Sequence, residues 1–301
     1  MKTPITPILT SGAALLLAVL VTPARADILY ASDFAFATIE KITSGGVGSL
    51  FVNTPTNGTK GIAFDSAGNL YVAVFGNSIL KYTPGGISSV FASTGSSTAV
   101  GLAFDTAGNL YAAYSNNTIE KFTIGGVGSV FASTGLSNPG GIAFDRTGNL
   151  YVANSISDTI EKFSPTGTDL GVFASLPSHP YGLAFDRAGN LYVSYQSALI
   201  EKYTPGGVGS VFAIGGGSAG LAFDSADNLY VAGGGATVIN KFTPGGVGSV
   251  FADAADGLGN PAFLAFTNDA GVPLSLPIPE PASAALLGLG ALLLAARRRK
   301  A

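Results

Sequence analysis

The chain has 301 residues, no cysteine and a formal charge of −3. Between 27 and 278, nine basic side chains stand against seventeen acidic ones, a net charge of −8. That acidic body excludes nucleic acid as a partner, because phosphate neutralisation needs basic surface. The missing cysteines exclude disulfides, zinc–thiolate sites and cysteine nucleophiles. The 42 glycines, among many Val, Phe, Tyr and Thr, predict an all-β fold with tight turns.

In chain order the first element is an address. Met1 and Lys2 carry positive charge, Gly12-Ala-Ala-Leu-Leu-Leu-Ala-Val-Leu-Val21 forms an apolar run, and Ala24-Arg25-Ala26 gives the small-x-small pattern read by signal peptidase. A run of about ten residues is too short to span a hydrocarbon core of about 30 Å as a helix. Residues 1–26 therefore read as a signal peptide cleaved before Asp27, with an uncleaved anchor as the alternative.

The next 240 or so residues (~240, the span of one large domain) are a repeat. Gly61-Ile-Ala-Phe-Asp65 recurs as Gly101-Leu-Ala-Phe-Asp105, Gly141-Ile-Ala-Phe-Asp145, Gly182-Leu-Ala-Phe-Asp186 and Gly220-Leu-Ala-Phe-Asp224, with a worn copy at Phe263-Leu-Ala-Phe-Thr267. Each complete unit continues with a Gly/Asp-Asn-Leu-Tyr strand, a strand centred on lysine, a Gly-rich turn and a Val-Phe-Ala strand. Four short strands in about forty residues make one blade of a propeller. The stretch 27–52 supplies the second, third and fourth strands of a unit, and 261–267 supplies only a first. Together they complete a sixth blade, so the expected fold is an all-β, six-bladed β-propeller over 27–267. It closes by pairing N-terminal strands with a C-terminal strand, leaving no open stack edge. A stacked-strand solenoid is the alternative.

Gly141-Ile-Ala-Phe-Asp-Arg-Thr-Gly-Asn-Leu-Tyr-Val-Ala-Asn154 resembles the strand–turn–strand core of NHL-type six-bladed propellers. The resemblance spans nearly all of 27–267. The family usually places Asp just after the second strand. Here that position holds Asp33, Val74, Tyr114, Asn154, Tyr195 and Gly233, so the family's polar ring is broken.

In an up-and-down blade, the loops after strands one and three share one face of the disc. Here they repeat almost verbatim, as in Asp65-Ser-Ala-Gly-Asn69 and Asp105-Thr-Ala-Gly-Asn109. The loops of the other face differ in every blade. A ligand without sixfold symmetry needs a site where the repeats diverge, so the variable face is the expected binding face. Its candidates are Asp33, Phe75, Tyr114, Asn116, Asn154, His179, Tyr181, Tyr195, Gln196 and Asn260, with Phe34, Phe36, Lys60, Asn77, Asn117, Asn138, Asp158, Asp253 and Asp256 beside them. Aromatic rings interleaved with amides suit saccharides, whose C–H faces stack on rings and whose hydroxyls pair with amides. Asn and Gly are also ordinary turn residues, so a polar loop face of low specificity remains open, as does a protein-binding face.

Other residue sets point to structure. Asp65, Asp105, Asp145, Asp186 and Asp224 read as turn aspartates accepting backbone N–H bonds, not as calcium ligands, since they sit on separate blades. Lys41, Lys81, Lys121, Lys162, Lys202 and Lys241 read as solvated charges that discourage edge aggregation, or as a cationic ring for an acidic polymer. Propellers resembling gluconolactonases use carboxylate and amide metal ligands, and those resembling streptogramin lyases use a histidine base. This chain has one histidine, His179, inside Pro177-Ser-His-Pro180. No catalytic residue, metal or cofactor is assigned. The alternative is a metal-dependent hydrolase or lactonase, for which Asp33, Asp158, His179, Asp253 and Asp256 are the candidates.

Residues 268–278 read as a linker. Pro279-Glu280-Pro281 then precedes an apolar stretch, 282–296, and the basic finish Arg297, Arg298, Arg299 and Lys300. This order resembles the PEP-CTERM sorting signal of Gram-negative bacteria, which implies processing by an exosortase; an ordinary tail anchor is the alternative. As a helix the stretch would measure about 22 Å, short for a permanent span, with its basic end on the cytoplasmic side. The expected protein is an exported binding or scaffold module of the cell surface or extracellular matrix, transiently anchored in the inner membrane. Its expected partners are signal peptidase and exosortase, then extracellular polysaccharide or a surface protein.

Overall fold

The computed structural model describes residues 26–274, apart from 56, 57, 94, 96 and 216. The signal sequence (with Ala24), the end of the linker and the sorting tail (Pro279, Glu280, Pro281, Arg297, Arg298, Arg299) lie outside the described residues.

Six four-stranded antiparallel sheets form the blades. Blade I combines β24 (Pro261–Asn268) with β1 (Asp27–Asp33), β2 (Thr38–Ile42) and β3 (Gly48–Asn53). Blade II runs β4 (Thr59–Phe64), β5 (Leu70–Val74), β6 (Ser78–Tyr82) and β7 (Ser88–Ser93). Blade III runs β8 (Ala99–Phe104), β9 (Leu110–Tyr114), β10 (Thr118–Phe122) and β11 (Gly128–Ala132). Blade IV runs β12 (Pro139–Phe144), β13 (Leu150–Asn154), β14 (Thr159–Phe163) and β15 (Asp169–Ser175). Blade V runs β16 (Pro180–Phe185), β17 (Leu191–Tyr195), β18 (Leu199–Tyr203) and β19 (Gly209–Ile214). Blade VI runs β20 (Leu221–Phe223), β21 (Leu229–Ala232), β22 (Ile239–Phe242) and β23 (Gly248–Ala252). This is the expected six-bladed β-propeller, and β1 pairs with β24 from Asp27 opposite Asn268 to Asp33 opposite Pro261.

The repeated motif explains how the blades pack. In β4 the register shifts between Thr59 and Ile62, so Lys60 and Gly61 form a bulge. The same shift occurs in β8, β12 and β16. The glycine of each bulge lies flat on the next blade: a Cβ at Gly61 would come 2.6 Å from the Val100 carbonyl oxygen, and one at Gly182 2.5 Å from that of Ala219. Only glycine permits that approach.

Farther down each blade, the tyrosine of the second strand meets two phenylalanines edge-on. Tyr71 contacts Phe91 of its own blade at 4.8 Å and Phe104 of the next at 5.0 Å. The sets recur around the ring, ending with Tyr230 against Phe251 and Phe266, both at 4.8 Å.

The repeated turns are built as expected. Asp65 Oδ1 accepts the Ala67 and Asn69 N–H groups at 3.0 and 2.9 Å. Five of the six lysines are partly exposed and paired with the turn aspartates of their blades. Lys81 Nζ lies 3.5 Å from Asp65 Oδ2, and the same pairing joins Lys121 to Asp105, Lys162 to Asp145, Lys202 to Asp186 and Lys241 to Asp224. Each of these ammonium groups also faces the second-strand tyrosine ring of its blade, Lys81 at 5.2 Å from Tyr71. A cationic ring free for a polymer is thereby ruled out at those five positions. Blade I has Thr267 in place of the aspartate.

Residues 268–274, expected as the start of a linker, continue the fold. Asn268 Oδ1 accepts the Ala270 and Val272 N–H groups, both at 3.0 Å, and Leu274 N donates to Phe266 O at 3.1 Å. Asn268 thus forms a sixth turn of the repeated kind, one residue late. Pro273 bridges Thr267 on the edge of β24 that β1 leaves free.

Candidate functional site

The variable face carries the hairpins between second and third strands and the crossings from one blade to the next. Backbone hydrogen bonds tie the two loop sets together: Phe34 N to Asn260 O at 2.9 Å, Phe75 N to Gly58 O at 3.3 Å and Gln196 N to His179 O at 3.1 Å.

The sequence-derived candidates divide sharply here. Tyr114 is 1% exposed and Tyr195 is not exposed at all. Both end their strands and point into the blade interior, a correction to their expected projection from loops. The Tyr195 and Tyr203 hydroxyls each donate to Glu201 Oε2 at 2.6 Å and lie 3.2 Å apart, and burial, then the hydrogen bonds of Tyr195 with Glu201 and Tyr203, raise the Tyr195 pKa. Asn154 is also buried, with Nδ2 donating to Gly135 O at 2.8 Å and Oδ1 accepting Ser137 N at 3.0 Å.

Asp33, likewise buried, is a loop anchor. Its Oδ1 accepts Ala35 N and Phe36 N, both at 3.0 Å, and its Oδ2 accepts Gly259 N at 2.6 Å and Asn260 N at 2.9 Å. With four N–H partners it has no capacity left for a ligand. Asp33, Tyr114, Asn154 and Tyr195 are therefore withdrawn as contact residues. Asn116 is exposed but accepts Thr118 Oγ1 at 2.7 Å within its own turn. Asn260 spends its Oδ1 on Gly235 N at 2.7 Å. Gln196 and His179 are exposed, and His179 Nδ1 lies 3.6 Å from Asp158 Oδ1.

Tyr181 is half-buried and packs against the core clusters of neighbouring blades. It occupies the bulge position of β16, and its ring centroid lies 5.5 Å from that of Phe263 on β24, with blade VI between them in sequence order around the ring. Phe263 stands where the other units have glycine. The two rings pack on each other, and burial raises the Tyr181 pKa.

What remains open is an aromatic platform on blades I and II. Phe34, Phe36 and Phe75 are 39%, 60% and 37% exposed. The Phe34 and Phe75 rings meet edge-on at 5.7 Å. Glycines lie directly against these rings: a Cβ at Gly58 would come 2.6 Å from Phe75 Cε2, and one at Gly259 2.6 Å from Phe36 Cε2. Asp33 holds the loop bearing Phe34 and Phe36 to the loop bearing Gly259, so the platform is fixed by a buried carboxylate. Lys60 completes it, with Nζ 5.0 Å from the Phe75 centroid. Sequence reasoning placed all four on this face but did not single out the group, because its members are 41 residues apart in sequence (Phe34 to Phe75) and no repeat of the motif marks them.

A cleft of about 180 Å³ lies on the opposite face, between blades IV and V, lined by Asp145, Arg146, Phe173, Phe185 and Asp186. Its carboxylates are the turn aspartates already paired with Lys162 and Lys202. Among the described residues, no three His, Asp or Glu side chains are grouped so as to hold a metal ion, and no helix is long and apolar enough to cross a membrane.

Fold and sorting signal together define the class: an exported six-bladed β-propeller. Residues 277–300 match the PEP-CTERM protein-sorting motif, which marks export to the cell envelope or surface and implies recognition by an exosortase. The propeller is similar to a chain of a nidogen/laminin complex, with a TM-score of 0.71 and 22% identity over 80% of this chain and 98% of that one. It is also similar to virginiamycin B lyase from Staphylococcus aureus, with a TM-score of 0.60 and 18% identity over 77% of this chain and 85% of that one. A protein of unknown function from Bacteroides caccae gives a TM-score of 0.62 and 14% identity over 80% and 98%. At these identities the likeness is one of fold. No curated protein sequence matches the chain.

Proposed function

We propose that the mature chain is a non-enzymatic binding module of the cell surface or extracellular matrix, holding saccharide or exopolymer on the variable face. The observation that carries this reading is the platform of Phe34 and Phe75, with Phe36 exposed on the same loop as Phe34. The Phe34 and Phe75 rings pack on each other, Asp33 fastens the loop that bears Phe34 and Phe36, and glycines lie against Phe75 and Phe36. Rings fixed in this way lose little entropy on binding, and stacked sugars gain apolar contact on them. Replacing all three rings with Ala is expected to lower affinity for the native matrix polymer about a hundredfold or more, taking about 1–3 kcal/mol per stacked ring from base–aromatic stacking. Changing Ser66, Thr106 and Ala188 on the repeated-turn face to Lys is expected to leave binding unaltered. The reverse pattern, in a polysaccharide pull-down, would place the site on the other face.

The processing that belongs to this reading removes 1–26 and cuts near Pro279, Glu280 and Pro281 after transient anchoring in the inner membrane. Intact-mass measurement of surface material should then show neither Met1 nor the Arg297 to Lys300 end. The lactonase-like alternative has a single arrangement to rest on, the exposed His179 beside the half-buried Asp158. Lactone turnover by the purified protein, lost in His179→Ala, would favour it.

A further inference from the structure

We infer that Lys60 makes the platform a subsite for a sugar carrying one carboxylate, a uronic acid, rather than for a neutral sugar. This deepens the saccharide reading and rests on it. Lys60 is the one lysine of the described residues on the variable face; Lys81, Lys121, Lys162, Lys202 and Lys241 are committed to aspartates on the repeated-turn face. It occupies the bulge position of the innermost strand of blade II, where the other blades place Val100, Gly140, Tyr181, Ala219 and Ala262. A cation at that position is a departure from the repeat, and the fold does not require it.

The surroundings of the amine are aromatic. Its Nζ stands 5.0 Å from the Phe75 centroid, and the Phe34 ring packs on Phe75 beside it. Among the described residues no carboxylate lies within ion-pair distance of it, and burial lowers its pKa with no opposing charge. A half-buried ammonium without a counter-ion is destabilised until one arrives. A carboxylate bound there removes that penalty and makes a charge-assisted hydrogen bond. The same sugar ring can lie on Phe75 and Phe34 while its carboxylate reaches Nζ.

The wider charge pattern limits the ligand to isolated carboxylates. Asp158 and Asp253 share the variable face with Lys60, in a body of net charge −8 between 27 and 278. A polyanion would meet repulsion beyond the first contact, whereas one carboxylate among neutral sugars would not.

The test uses the secreted mature protein and aldotetraouronic acid, a xylotriose bearing one glucuronate, against its methyl ester, which keeps the shape and removes the charge. Titration calorimetry is expected to show the acid binding at least tenfold tighter than the ester. Lys60→Met should abolish the acid's advantage over the ester. Equal binding of acid and ester by the parent, or an acid preference that survives Lys60→Met, overturns the inference while leaving the saccharide reading standing. Binding of neither form overturns both. Reductive ¹³C-methylation supplies a second readout that a fold defect would not mimic: the Lys60 amine resonance should titrate at higher pH when the acid is present, and an unchanged titration would overturn the inference.

Discussion

Four carboxyl groups occupy equivalent positions one residue before the third-strand lysines: Glu40, Glu120, Glu161 and Glu201, with Leu80 and Asn240 in the remaining blades. Each answers to a different neighbour. Glu201 accepts two tyrosine hydroxyls. Glu40 is buried, and burial, then the charge of Asp33, raises its pKa. Glu161 is buried beside Asp169, and burial followed by the hydrogen bond and repulsion from Asp169 pushes its pKa up to about 7. A carboxyl whose folded pKa is raised binds its proton more tightly when folded, so its contribution falls as pH rises from the unfolded value through about 7. Asp65, Asp105 and Asp145 act with the opposite sign. Burial works against them, but hydrogen bonds from their turn asparagines and, for Asp65 and Asp105, the nearby lysine charge hold their pKa values down. Their contribution is present above the unfolded value and is lost in acid. Thermal stability is therefore expected to peak near about pH 4–5, between the two windows. Glu161→Gln should raise the melting temperature at pH 8 and flatten the decline between pH 5 and 8, read from melting curves across that range. A variant that melts lower than the parent at pH 8 would show that the charged pair is not a liability.

At the scale of elements, the sequence was most legible where the same hydrogen bonds must be made repeatedly. Gly-Ile-Ala-Phe-Asp could be read as an innermost strand and its turn because glycine, phenylalanine and aspartate each have a fixed job there: a close blade contact, an edge-on ring contact and the Asx turn. The variable face was less legible, and the reason lies in strand length. Tyr114, Asn154 and Tyr195 look like loop residues when the second strand is taken to end at the previous position. They are instead the last residues of β9, β13 and β17, where the third strand and the incoming crossing cover them. One residue of strand extension turns a presented side chain into a buried one. Asp33 sits at the same register position and uses its burial to fasten two loops, which puts Phe34 and Phe36 on display. The lysines were misread for a related reason: a spacing of sixteen residues from Asp65 to Lys81 conceals that first and third strands lie close enough, across the intervening tyrosine, for an ion pair.

For the whole molecule the decisive joint is the one the chain makes without covalent continuity, between β24 and β1. Five blades are hairpins of consecutive strands, but blade I holds only if residues from the two ends of the propeller find each other. The joint has the same internal packing as the others. Phe266 meets Tyr230 at 4.8 Å, as Phe104 meets Tyr71 at 5.0 Å. Its other half is the seven-residue register of β1 on β24, reinforced by Phe263 N donating to Ser32 Oγ at 3.0 Å. If the ring is closed in solution, Phe266→Ala and Phe104→Ala should destabilise the protein by comparable amounts, about 3 kcal/mol each, the low end for an aromatic-to-alanine change because the Phe104 ring is only partly buried. Against a typical total of about 5–15 kcal/mol, either loss would be plain in a denaturant melt. If the ends separate readily, Phe266 is already exposed in much of the population, and its replacement should register far less than that of Phe104. A cooperative transition shifted equally by both variants would establish that the last blade is as firmly built as those made from continuous chain. A shift confined to Phe104→Ala would mean that β24 is a loosely docked strand and the propeller an open ring.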